Sequence, residues 1–83
     1  GVDDVGRGKE HPDIYLEAAA RVGVPAHAAT VFEDLLAGVQ SAAGAGMHVW
    51  GVYDESSAQS WPAIQSIAQG VLNDFAQAPR PLA

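Results

Sequence analysis

Apolar residues in this 83-residue chain come in short bursts, and the bursts alternate between two periods. Tyr15, Ala18, Ala19 and Val22 recur at i, i+3, i+4 and i+7, the spacing of one helical face. Pro12 suits a first helical turn and Gly23 a left-handed stop, so a helix is expected over 12–22. Ala29-Thr30-Val31-Phe32 is a compact run with a β-branched and aromatic centre, read as a buried strand that stops at Glu33-Asp34. Leu35 to Ala45 places Leu35, Val39, Ala42 and Ala43 on one helical face. Gly38 and Gly44 lower its propensity, which points to close packing against a neighbour. His48 to Tyr53 reads as a second strand and Glu55 to Gln59 as a polar loop. Ser60 is placed to cap a third helix carrying Ile64, Ile67 and Ala68, and Val71-Leu72 is a brief third strand. The first eleven residues and the tail with Pro79 and Pro81 read as irregular.

Helix and strand therefore alternate through three rounds. That order predicts an α/β fold, a partial Rossmann-like parallel sheet with flanking helices and about three strands and three helices. Asp34, Asp54 and Asp74 each follow a strand, and right-handed crossovers would gather all three at one sheet edge. Three parallel strands make an incomplete sheet, because such strands are normally buried on both faces. The first is also too apolar for an open edge. One or more partner strands are expected outside this chain, and the start at Gly-Val-Asp-Asp without Met fits a fragment boundary.

Composition narrows the function. Four Lys/Arg against ten Asp/Glu give a formal charge of −6, which argues against nucleic acid and anionic membranes as partners. No cysteine is present, so disulfides and thiolate metal sites are excluded. A hydrophobic share of 48% with 17% charged residues is that of a folded chain. No apolar run is long enough to span a bilayer and no signal segment is visible, so a cytoplasmic location is expected.

Open α/β sheets bind ligands at the carboxyl ends of their strands. Glu33-Asp34 stands there. Adjacent carboxylates resist joint ionisation, and a hard divalent cation would relieve that. The competing reading, and the more frequent one for an isolated Asp in this position, is that Asp34 caps the helix beginning at Leu35 while Glu33 is solvated. Lys9, before a helix start, could neutralise a phosphate or an acidic nucleophile; the alternative is an exposed loop lysine. His11, His27 and His48 lack metal-ligand spacing, and Ser56, Ser57 and Ser60 lack the context of a serine nucleophile. Trp50 and Trp61 read as packing residues.

Three blocks in order nevertheless form a pattern. Gly8-Lys9-Glu10-His11-Pro12-Asp13-Ile14-Tyr15-Leu16, then Val31-Phe32-Glu33-Asp34, then Ala37-Gly38 with Ala45-Gly46-Met47, resemble the C-terminal part of the haloacid dehalogenase superfamily. The likeness is strongest to its β-phosphoglucomutase-like phosphatases and covers about residues 3–75. It implies that Lys9 stabilises an aspartyl nucleophile and the transferring phosphoryl group. It further implies a Mg²⁺ site in which Asp34 is a direct ligand and Glu33 acts through the metal's water shell. This shifts the balance away from a cap. Two departures occur: Glu10 stands where the family usually has Pro, and Leu35 where a small hydroxyl residue is frequent.

The family's nucleophile lies in an upstream Asp-x-Asp-x-Thr block, and no Asp-x-Asp occurs in these 83 residues. The resemblance thus implies that residues 1–83 are the C-terminal part of a single core domain. The nucleophile strand and the substrate-selecting cap domain lie outside it. The expected function is that of a Mg²⁺-dependent phosphatase or phosphomutase acting on small phosphorylated metabolites, partnered by the missing N-terminal part and inactive as this chain alone. The alternative is a truncated, non-catalytic binding or interaction module of the same fold. A receiver-like acidic-pocket domain is a weaker third reading, since it needs more strands and its own phosphoacceptor.

Overall fold

A computed structural model of the chain describes residues 11–73 and 80–82. Lys9 and Asp74 lie outside them. The order is α1 (Asp13–Val22), β1 (Thr30–Glu33), α2 (Leu36–Gly44), β2 (His48–Val52), α3 (Trp61–Ile67), β3 (Gly70–Leu72) and β4 (Arg80–Pro81). The expected α/β alternation is present, and the strands form one sheet in the order β1-β2-β3-β4. β1 and β2 pair in parallel with Val31 beside Val49 and Glu33 beside Gly51. β2 and β3 are also parallel, with Trp50 beside Gly70. The short β4 adds an antiparallel edge against β3, where the sequence pattern suggested an irregular tail.

Local chemistry explains the boundaries. Gly23 adopts φ 73° and closes α1 with its N–H on the carbonyls of Ala19 and Ala20. Gly46, at φ 85°, turns the chain from α2 into β2. Both are left-handed positions that glycine takes without a Cβ penalty. Residues 55–60 form a 3-10 helix rather than an open loop, because the Asp54 carboxylate accepts the Ser56 N–H at 3.0 Å. Ser60, placed by sequence as the cap of α3, makes no side-chain cap bond. The turn feeding α3 is already wound by the 3-10 helix, so no open N-terminus is left for Ser60 to close.

The core joins α1, α2 and α3 to one face of the sheet. Tyr15, Ala19, Val39, Ala42, Ala45, Met47, Val49 and Ile64 form one buried cluster. Ile64 and Val39 are fully buried, each contributing about 1.5–3 kcal/mol relative to exposure. Glycine lets the layers approach: a Cβ on Gly51 would sit 2.6 Å from Ile64 Cγ2. Gly44 meets Pro12, the N-cap of α1, in the same way, with Cγ 3.2 Å from a Cβ placed there. The predicted role of the α2 glycines as close-packing positions is therefore met.

On the opposite face Phe32 and Trp50 touch at a centroid distance of 6.4 Å, and the Trp50 indole lies across Gly70. Phe32 is 53% exposed, so β1 is half-buried rather than the buried strand its composition suggested. Among the described residues β1 pairs only with β2 and forms the edge of the sheet.

Candidate functional site

The carboxyl ends of β1 and β2 meet at one rim. Phe32, Asp34, Val52, Tyr53 and Asp54 line an open cleft there, which brings Asp34 and Asp54 together as the parallel topology required. Asp74, the third aspartate of that spacing, lies outside the described residues.

Asp34 is exposed. It is not the cap of α2: Leu35 occupies that position, with φ −113° and ψ 140°, and makes no side-chain cap bond. A cap would have committed the carboxylate to backbone N–H groups. Its backbone is held instead, because the buried Ser57 donates its hydroxyl to the Asp34 carbonyl at 2.6 Å. The 3-10 helix after β2 thereby braces the loop after β1. Asp54 begins that helix, and the hydroxyl and N–H of Ser56 both bond its carboxylate. These hydrogen bonds favour the ionised form and hold the Asp54 carboxyl below its ordinary range.

Glu33 leaves the strand on the other side. By the register it shares the helix-covered face with Val31, Val49 and Gly51. Its carboxylate is half-buried and accepts the Tyr15 hydroxyl at 2.9 Å. It also lies over Gly38 in the first turns of α2, where any Cβ would overlap Oε1 and stand 2.8 Å from the carboxyl carbon. Burial, reinforced by the Glu33 carboxylate, pushes the Tyr15 phenol well above its ordinary value. Strand alternation thus sends the adjacent carboxylates to different sides.

The donor set suits a hard cation in kind. Mg²⁺ takes carboxylate oxygen, keeps several waters, and is commonly held by one or two carboxylates plus a substrate phosphate. Among the described residues no three or more metal-ligating side chains gather, so any such site draws further ligands from elsewhere. Lys9, the other residue singled out by sequence, is outside the described residues. Tyr15, Gly38 and Ser57 were missed as site residues. Tyr15 sits in the apolar stripe of α1, and only its hydroxyl hinted at a polar partner.

The haloacid dehalogenase-like hydrolase family matches residues 1–46, more than half of the chain. The chain belongs to this haloacid dehalogenase-like hydrolase family. Its relatives include Protein CbbY of Rhodobacter capsulatus, 45% identical over 47 residues, which are 57% of this chain and 21% of that protein. The chain thus spans about a fifth of the length of the curated relative it matches. As a member of this family it carries the partial Rossmann-like α/β sheet expected from its sequence. Among the described residues no helix is long and apolar enough to cross a membrane.

Proposed function

We propose that this chain forms the C-terminal part of the core domain of a Mg²⁺-dependent phosphatase or phosphomutase that acts on small phosphorylated metabolites through an aspartyl-phosphate. The resemblance of its motifs to β-phosphoglucomutase-like phosphatases supports that subtype. In this reading Asp34 is a direct metal ligand, and Glu33 acts through the metal's water shell. Lys9 neutralises the nucleophile and the phosphoryl oxygens. The nucleophile and cap domain belong to an N-terminal part of the same protein, since the 83 residues contain no Asp-x-Asp. The bound ion would supply electrostatic stabilisation of phosphoryl charge. The protein works in the cytoplasm, without nucleic acid or membrane partners.

One observation carries this reading: an exposed Asp34 carboxylate, uncommitted to capping, at the carboxyl end of a parallel strand, with its backbone braced by Ser57. Hydrolysis of p-nitrophenyl phosphate by the full-length protein, with and without Mg²⁺, tests it. Asp34→Asn and Lys9→Ala should each abolish most of the Mg²⁺-stimulated rate. Undiminished turnover in both variants would remove the assignment. A second reading, a non-catalytic interaction module, is favoured by the missing Asp-x-Asp and predicts no turnover with or without Mg²⁺.

A further inference from the structure

We propose that Tyr15 is a positioning residue for the Glu33 carboxylate, and that Gly38 is glycine because that carboxylate occupies the space a Cβ would need. The inference rests on the metal-site reading above and extends it to two residues that touch neither metal nor substrate.

Three observations converge. The Tyr15 hydroxyl donates to Glu33 Oε2 at 2.9 Å across eighteen residues of sequence, joining α1 to the end of β1. The Tyr15 side chain is anchored in the core cluster and only 7% exposed, so its hydroxyl has a fixed position from which to donate. On the other side of the carboxylate, a Cβ on Gly38 would overlap Glu33 Oε1 and lie 3.2 Å from the Tyr15 hydroxyl oxygen. Glu33 is thus confined between a donor and a bare helix backbone.

Such confinement matters for a ligand that works through water. A glutamate has three rotatable bonds, and an unconfined one would spread its oxygens over many positions. Fixing one oxygen on Tyr15 restricts where the carboxylate can receive a hydrogen bond from a metal-bound water, as partners behind metal ligands commonly do. A simple packing role for Tyr15 would need its ring alone, which phenylalanine supplies.

The test is calorimetric titration of Mg²⁺ alone into metal-free, full-length protein, with urea unfolding run in parallel. Tyr15→Phe should weaken Mg²⁺ binding about tenfold. Gly38→Ala, which leaves the phenol intact but displaces the carboxylate, should weaken it similarly. In a Glu33→Ala background, which removes the acceptor, the Tyr15→Phe change should have no further effect, since both act through one contact. Wild-type protein that binds Mg²⁺ together with a Tyr15→Phe variant of equal affinity overturns the inference and leaves the metal-site reading standing. A Tyr15→Phe effect that persists undiminished in the Glu33→Ala background also overturns it. Failure of the wild-type protein to bind Mg²⁺ defeats the metal-site reading, and the positioning role falls with it. Should Tyr15→Phe not fold, Gly38→Ala carries the same comparison.

Discussion

Gly51→Ala is the substitution whose cost the packing defines most closely. Gly51 is the inward-facing residue of β2 over which α3 lies, and an added methyl carbon would stand 2.6 Å from Ile64 Cγ2. Carbon atoms in contact prefer about 3.5–4.0 Å, so roughly 1 Å must be found. Ile64 is fully buried and the edge of Trp61 waits 3.5 Å from the same point, so neither can yield without moving α3. Overpacking of this kind costs about 1–3 kcal/mol. Removing a glycine from a strand interior returns roughly 0.5–1 kcal/mol. The net expectation is a loss of about 1–2 kcal/mol in urea unfolding of the full-length protein, with an unchanged m-value. Ile64→Ala alone should cost about 2–5 kcal/mol through its cavity. Combined, the new methyl enters the space Ile64 has vacated. The double variant should therefore be more stable than the sum of the single losses by about 1 kcal/mol or more. A Gly51→Ala protein as stable as wild type, or strict additivity in the pair, would refute the packing account.

Three further outcomes follow from the rim of the sheet. Leu35→Ser should stabilise the protein by about 0.5–1 kcal/mol in thermal unfolding, because the N-cap position of α2 holds a leucine with no side-chain acceptor, and at 45% exposed it gives up little burial there. Ser57→Ala should cost about 1 kcal/mol and raise the Mg²⁺ concentration needed for half-maximal turnover, by releasing the Asp34 carbonyl. Asp54 has a folded-state carboxyl held below its ordinary value by Ser56, so its contribution is present above the unfolded pKa and disappears as pH falls through the folded one. Asp54→Asn should thus lower stability at neutral pH, and the gap to wild type should close in strongly acidic buffer; a gap independent of pH would count against the Ser56 contacts.

Elements with strong local signals were legible in the chain. The i, i+3, i+4, i+7 stripe and Gly23 located α1 to within one residue, and the alternation of bursts named the pairing of β1, β2 and β3 as parallel. The doublet at 33–34 also marked the strand end where the cleft lies. Contacts between residues distant in sequence were not legible. Tyr15 meets Glu33 eighteen residues away, and Ser57 reaches Asp34 across twenty-three; no periodicity encodes either pairing. The 3-10 helix hid behind a polar composition that also suits loops, its one clue being Asp54 two residues before Ser56. β4 is two residues long and includes a proline, so it lacks any pattern of its own.

The hydroxyl-to-carbonyl tie between residues 57 and 34 makes the two rim loops a single mechanical unit. A shift of the segment that follows β2 is handed directly to the aspartate that follows β1, although no side chain of that segment touches its carboxylate oxygens among the contacts described. Changes in that polar stretch should therefore retune the aspartate at a distance, as tightening one guy-rope moves a mast anchored by another.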